Sequence, residues 1–212
     1  MNPSVSTDTV FIVDDDASFL KSASRLLRAA GYVVKAFESA PAFLGQLTPE
    51  ASGCVVTDLQ MPGFTGLELQ AALARSANPL PIVFLSAQGD IPTTVKAMRQ
   101  GAEDFLTKLS PKEKLLEAVN RALARNAHDR TQREQLRELR ERFATLSPRE
   151  LEVLGHVVRG RMNKEIADEL GINLRTVKLH RTNLTRRLQV HSVAELTRLV
   201  EAVGLFKPDS TA

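Results

Sequence analysis

Five short apolar runs in the first 125 residues, each followed by a stretch of helical periodicity, constrain this chain more than any other feature. The runs are Val10-Phe11-Ile12-Val13, Tyr32-Val33-Val34-Lys35-Ala36, Cys54-Val55-Val56-Thr57, Pro81-Ile82-Val83-Phe84-Leu85-Ser86 and Asp104-Phe105-Leu106-Thr107-Lys108. Runs with little polar alternation suit strands covered on both faces, as in a parallel sheet. Helices are expected over residues 17–30, 39–47, 66–76, 92–101 and 113–126. The first carries Leu20, Ala23, Leu26, Leu27 and Ala30 at helical spacing and is stopped by Gly31. Strict strand–helix alternation implies parallel strands, right-handed crossovers and helices on both faces of one sheet.

The residues at the strand ends carry the chemistry. In a parallel sheet all strands end on one edge, where open α/β sheets place their ligands. The first run ends in Asp14-Asp15, the third in Asp58, the fourth in Ser86 and the fifth in Lys108. Taken alone, Asp58 before Met61-Pro62-Gly63 could equally cap a turn. Three carboxylates brought together raise each other's pKa unless a cation joins them. Oxygen ligands with positions left for water and phosphate suit Mg2+. Lys108 can pair with a carboxylate or a phosphoryl oxygen, and Ser86 can donate to one. The set suits an aspartyl phosphate, with Asp58 as nucleophile and Mg2+ and Lys108 neutralising the transferred group. Asp16 is read as the N-cap of the first helix rather than a metal ligand.

Residues 8–125 resemble the receiver domain of bacterial two-component response regulators. The resemblance rests on Val13-Asp14-Asp15, Asp58 with Met61-Pro62-Gly63 and Gly66, Ser86-Ala87, Phe105 and Lys108, in that order. It implies a flavodoxin-like five-stranded sheet of order 2-1-3-4-5 and phosphorylation of Asp58 by a sensor histidine kinase. It also implies Mg2+ bound by Asp15 and Asp58, with Asp14 acting mostly through water and the Gln60 carbonyl completing the site. Ser86 would bond the phosphoryl group after activation, and Phe105 would be the switch that follows it. One departure stands out. The family usually carries Lys-Pro, joined by a cis bond, after the fifth strand, and this chain has Lys108-Leu109. A cis bond before a residue other than Pro costs about 3–4 kcal/mol, so this loop is expected to be either trans or strained.

Residues 126–143 are expected to form a helical linker between a receiver at 1–125 and a second domain at 144–212. Residues 126–142 are rich in Arg, Glu and Gln and hold no Gly or Pro, which favours a solvated helix over a loose tether. Leu136, Leu139, Phe143 and Leu146 form a short stripe, read either as packing on the second domain's own helices or as a dimer seam.

Charge separates the two halves. Residues 1–125 hold 12 Lys/Arg against 13 Asp/Glu, and residues 126–212 hold 16 against 12. A polyanion is therefore expected to meet the second half. There, Ser147-Pro148-Arg149-Glu150 is a helix start with Ser as N-cap, Pro at N1 and Glu at N3. A helix to about 159 follows, then a short helix over 164–170 capped by Asn163. After the Gly171-Ile172-Asn173 turn come a helix over 174–188 and a last one over 193–203 capped by Ser192. A short helix, a Gly-containing turn and a longer basic helix make the helix-turn-helix pattern. Between 173 and 190 stand Arg175, Lys178, Arg181, Arg186 and Arg187 with no acid. Val177, Leu184 and Leu188 are expected to face inward, leaving Lys178, Arg181 and Thr182 toward base edges. Asn163, Lys164 and Thr176 lie at helix N-termini and suit phosphate contacts. Arg186 is counted with this set, while His180 reads equally as a core residue or a phosphate contact.

Residues 147–206 resemble the LuxR-type four-helix DNA-binding domain, through Leu146-Ser147-Pro148-Arg149-Glu150, Asn163-Lys164-Glu165-Ile166-Ala167 and Thr176-Val177-Lys178-Leu179-His180-Arg181. The two resemblances together are the NarL/FixJ architecture, with wording that leans to the FixJ branch. They imply base reading by Lys178, Leu179 and Thr182 with help from Arg181, and homodimerisation on phosphorylation through residues 92–108, beginning at Pro92. A dimer contact of the last helix on DNA, and RNA polymerase as a further partner, belong to the same picture.

The expected function is a phosphorylation-dependent, promoter-binding transcription factor rather than an enzyme. Two alternatives differ from it. One is a constitutive DNA binder whose receiver serves only assembly. The other is a haloacid-dehalogenase-type phosphatase, which Asp14-x-Asp16 after a strand also fits, but for which no cap insertion or second acidic pair is found. The single Cys54 excludes an internal disulfide. Neither a signal peptide nor a transmembrane-length apolar run is read, so a cytoplasmic protein with no membrane partner is expected.

Overall fold

The computed structural model describes residues 8–87 and 91–206. The chain separates between Arg130 and Thr131 into two compact units. In the first, β1 (Thr9–Val13), β2 (Val33–Phe37), β3 (Gly53–Thr57), β4 (Ile82–Ser86) and β5 (Asp104–Thr107) form one parallel sheet of order β2-β1-β3-β4-β5. This is the expected flavodoxin-like order. Side chains alternate along the strands, so Phe11, Val13, Val55 and Phe84 serve one face while Val10, Ile12, Cys54, Val56 and Val83 serve the other. The first face is covered by α2 (Ala40–Leu44), α3 (Gly66–Ala74) and α4 (Ile91–Arg99), which supply Phe43, Leu69, Leu73 and Ala97. The second is covered by α1 (Ala17–Ala29) and by α5 (Lys112–Ala144), through Leu20, Leu27, Leu115 and Val119. The edge strands β2 and β5 stay partly exposed and carry Lys35 and Asp104, whereas the three central strands β1, β3 and β4 are buried almost throughout and correspondingly apolar. Cys54 shares that burial, which pushes its thiol pKa up to about 12 and leaves it inert.

The register fixes the site. Val13 pairs with Thr57 and Ser86 with Thr107, so Asp14, Asp58 and Lys108 each follow the last paired residue of their strand.

The helix expected to end near 126 does not end there. It runs unbroken from Lys112 to Ala144, through the whole stretch read as a linker. Asn126, near the expected terminus, is buried. Its Oδ1 accepts from the Gly53 N–H at 3.0 Å, and Asn126 is 0% exposed. Ser52 Oγ donates to Asp8, and Arg130 donates to Ser52, so one polar cluster ties α5 to the start of β3.

In the second unit α6 (Pro148–Val158), α7 (Asn163–Leu170), α8 (Leu174–Leu188) and α9 (Val193–Val203) enclose Val153, Leu154, Ile166, Val177, Leu184, Leu188, Leu196 and Val200. Phe143, Leu146 and the partly buried Leu139 join this core. Most of the linker stripe thus packs on the second unit's own helices. Ser147 caps α6 as expected: the Glu150 N–H donates to Ser147 Oγ at 3.2 Å and the Ser147 N–H to Glu150 Oε2 at 2.9 Å. That backbone bond holds the Glu150 carboxyl below the usual glutamate range against the opposing effect of burial, with Arg187 Nη1 3.4 Å away adding to it. Glu150→Gln keeps the shape and loses the charge. It should cost about 1 kcal/mol at neutral pH. A folded-state pKa below the unfolded one gives stability present above the unfolded value. The deficit should therefore shrink as pH falls below about 4.3 and through Glu150's own lower value. Urea titrations of both proteins at neutral and acid pH check this.

Candidate functional site

The acidic site forms at the carboxyl edge of the sheet, where a buried strand hands each side chain to its loop. Asp14 is 1% exposed. Its Oδ1 accepts from the Asp16 N–H at 2.9 Å, and its Oδ2 lies 2.6 Å from Lys108 Nζ. Asp58 Oδ1 accepts from the N–H groups of Leu59 (2.5 Å) and Gln60 (3.3 Å), and its Oδ2 accepts from Lys108 Nζ at 2.8 Å. Asp15 is exposed, and one oxygen from each of Asp14, Asp15 and Asp58 falls within 4.8 Å of the others. Two hard carboxylates near the ammonium and one free in solvent are a donor set that fits a divalent cation of the Mg2+ kind.

Burial raises the Asp14 pKa, and the hydrogen bond from Lys108 only partly offsets that. Burial works against the Lys108 ammonium too, but its bonds to Asp14 and Asp58 more than reverse this and lift its pKa above the ordinary lysine value. Lys108 is therefore a fixed positive charge shared by two carboxylates.

The Lys108-Leu109 departure does not displace the lysine. No peptide bond among the described residues is cis. The Lys108 N–H donates to Ser86 O at 2.8 Å, and Ser110 Oγ accepts from the Thr107 N–H at 3.2 Å, so β4 and a hydroxyl turn hold the backbone. Leu109 is turned to solvent. Of the other expected residues, Ser86 is buried at the end of β4, and Phe105 is partly buried with its ring on Phe84 at 5.8 Å. The Gln60 side chain is exposed. Asp16 is a cap as read, its Oδ1 accepting from the N–H groups of Ser18 (2.8 Å) and Phe19 (3.1 Å). Gly66 starts α3 hard against the site, since a Cβ there would lie 2.3 Å from the Asp58 carbonyl oxygen.

Sequence reasoning missed Phe19. Its ring lies under the ammonium, with Lys108 Nζ 4.4 Å from the ring centroid. The available signal was an aromatic residue on the first turn of the helix that follows the acidic strand end.

In the second unit α8 turns its expected apolar face inward, and of the three side chains expected outward Lys178 and Thr182 are exposed while Arg181 is not fully so. Val177, Leu184 and Leu188 are buried, and Lys178, Leu179, Thr182 and Arg186 are exposed, as is Lys164 on α7. Leu179 is 58% exposed. Thr176 and Arg181 are partly buried. Asn163 differs from expectation: Met162 holds the cap position, and Asn163, the first helical residue, accepts from Arg181 Nη1 at 2.8 Å. Arg187 points away from the basic face, donating to Thr145 O at 2.6 Å. His180 is partly buried, and its buried Nδ1 finds no hydrogen-bond partner among the described residues, which favours the core side of its two readings.

Comparisons with known proteins agree with this division. Residues 10–120 match the family described as response regulator receiver domain, and residues 144–200 match bacterial regulatory proteins of the luxR family. The chain is 41% identical over 192 residues to the response regulator protein TodT of Pseudomonas putida, covering 91% of this chain and 85% of that one. It is 37% identical over 198 residues to the transcriptional regulatory protein FixJ of Bradyrhizobium diazoefficiens, covering 93% and 96%. Among solved structures, that of the response regulator StyR superposes with a TM-score of 0.79 at 48% identity, covering 92% of this chain and 98% of that one. The full-length FixJ structure from B. japonicum gives 0.57 at 35% identity over 95% and 99%. The chain belongs to the response regulators that join a receiver domain to a LuxR-type DNA-binding domain. Its relatives are transcriptional regulators. No helix among the described residues is long and apolar enough to cross a membrane.

Proposed function

We propose that Asp58 is the phosphoacceptor and that its phosphorylation by a sensor histidine kinase switches promoter binding. The observation that carries this is the Lys108 ammonium bridging Asp14 and Asp58 at 2.6 and 2.8 Å beside the exposed Asp15. A carboxylate oxygen of Asp58 bonds to phosphorus as the P–N bond to the kinase imidazole breaks, and that imidazole leaves with a proton. Asp14, Asp15, Asp58 and the Gln60 carbonyl would hold Mg2+, which supplies charge neutralisation at the phosphoryl oxygens. Lys108 pairs with the oxygen that develops charge, Ser86 donates to the phosphoryl group, and Phe105 repacks with it. Each chain takes one phosphoryl group and turns over no small substrate. Sustained hydrolysis of p-nitrophenyl phosphate would contradict that.

The readout is assembly, in a cytoplasmic protein of three parts: a receiver at 1–125, a helical linker at 126–143 and a DNA-binding domain at 144–212. Phosphorylation favours a form whose receivers pair through residues 92–108. Ile91, Val95 and Met98 support this, because they lie at helical spacing along α4 and are 80%, 41% and 43% exposed. Pairing places two weak DNA contacts on one promoter and raises affinity through effective concentration. Lys178, Leu179 and Thr182 read bases with Arg181, and Asn163, Lys164, Thr176 and Arg186 contact phosphates, on a promoter also served by RNA polymerase. Lys178→Ala tests the DNA surface. It should weaken specific binding by roughly 5- to 150-fold, at about 1–3 kcal/mol for a good base contact. Receiver pairing on size-exclusion chromatography should stay intact. Unchanged affinity would remove α8 from the interface.

A further inference from the structure

We propose that Phe19 is a positioning residue for phosphoryl transfer, its ring face holding the Lys108 ammonium in place at the acidic site; this rests on Asp58 being the phosphoacceptor. Lys108 Nζ sits 4.4 Å from the Phe19 centroid, within the range at which a ring quadrupole attracts a cation. The ring is itself held. Phe19 packs, partly buried, against the core formed by Leu20, Leu115 and Val119, and its backbone N–H is bound by Asp16 Oδ1 at 3.1 Å. The third aspartate of the run therefore acts at the site indirectly, by fixing the first turn of α1 and the ring that turn carries.

The ring has a reason to matter here. The loop after β5 has no Pro following Lys108, so no rigid ring presets that backbone. The two carboxylates that anchor the ammonium are also the ones whose charge is shared during the reaction. Asp58 spreads its charge onto the phosphoryl oxygens, and Asp14 is a proposed metal ligand. The attraction of the Phe19 face does not depend on either. It therefore keeps the ammonium at the phosphoryl position while its other partners are shared.

The test uses the full chain with three variants. Phe19→Leu keeps apolar bulk without the ring, Phe19→Tyr keeps the ring, and 3,4,5-trifluorophenylalanine at position 19 keeps the shape while weakening the negative face. The initial rate of labelling by acetyl phosphate with Mg2+ should fall roughly three- to tenfold in Phe19→Leu. It should fall in the fluorinated protein too and be restored in Phe19→Tyr, with the Mg2+ dissociation constant from calorimetry unchanged. In NMR spectra without metal, the Lys108 Cε protons should carry an upfield ring-current shift that Phe19→Leu removes. Wild-type labelling rates in both Phe19→Leu and the fluorinated protein would overturn the proposal, as would an equal loss in Phe19→Leu and Phe19→Tyr. Asp58→Asn run alongside separates the two claims: labelling that persists there overturns the phosphoacceptor reading instead.

Discussion

Asp58→Asn is expected to take no phosphoryl group from acetyl phosphate or from a phosphorylated kinase, while keeping its fold. The amide is nearly isosteric but is no nucleophile at neutral pH. Its oxygen can still accept from the Leu59 and Gln60 N–H groups that hold Oδ1 now. The cost falls on the other side, where an NH2 replaces the oxygen that Lys108 Nζ touches at 2.8 Å. Two donors would then face each other, and the ammonium keeps Asp14, at 2.6 Å, and the Phe19 ring. A stability change on the order of 1 kcal/mol follows, small against the stability of a domain. Mass spectrometry of intact protein after acetyl phosphate treatment checks the chemistry, and circular dichroism checks the fold. Label retained in Asp58→Asn would move the phosphoacceptor elsewhere.

Gly53→Ala should do the opposite, leaving the chemistry untouched in principle and destroying the unit that carries it. Gly53 opens β3 at φ +141°, and a Cβ there would lie 1.8 Å from the Thr9 carbonyl oxygen. That oxygen belongs to the neighbouring strand, which cannot yield without breaking the β1–β3 pairing. Backbone strain and overlap together should exceed about 4 kcal/mol, enough to unfold most of a marginally stable domain. Gly63→Ala is the control. Gly63 has φ +75° but none of the described residues lies within 4 Å of an added Cβ, so only the left-handed penalty of about 1–2 kcal/mol applies. Urea denaturation of the two variants should separate them clearly. Equal, small losses would mean that the start of β3 is looser than its contacts imply.

The sheet and the acidic site were legible for one reason. In a doubly covered parallel sheet the central strands must be apolar along their length, so a polar residue ending such a run marks the ligand edge. Asp14, Asp58 and Ser86 stood out in that way, and Lys108 by ending the fifth run on the same edge. The basic face of α8 was legible because Val177, Leu184 and Leu188 fix which side is inward. The features that sequence hid depend on partners far along the chain. Asn126 resembles a helix end until its carbonyl meets the Gly53 N–H, 73 residues away. Asn163 resembles an N-cap until Arg181 claims its side chain. Phe19 is one more apolar residue on an amphipathic helix until β5 brings Lys108 over its ring. Periodicity gives the direction in which a side chain points, not what it meets.

The central claim is that phosphorylation of Asp58 governs DNA binding. It is tested most directly by measuring the affinity of the full chain for a duplex selected from random sequence, with and without beryllofluoride and Mg2+. Affinity should rise roughly 5- to 150-fold, the span of coupling energies of about 1–3 kcal/mol. Asp58→Asn should show no rise and Lys178→Ala weak binding throughout. Equal affinity in the two conditions would contradict the account and leave a DNA binder whose receiver does not act as a switch.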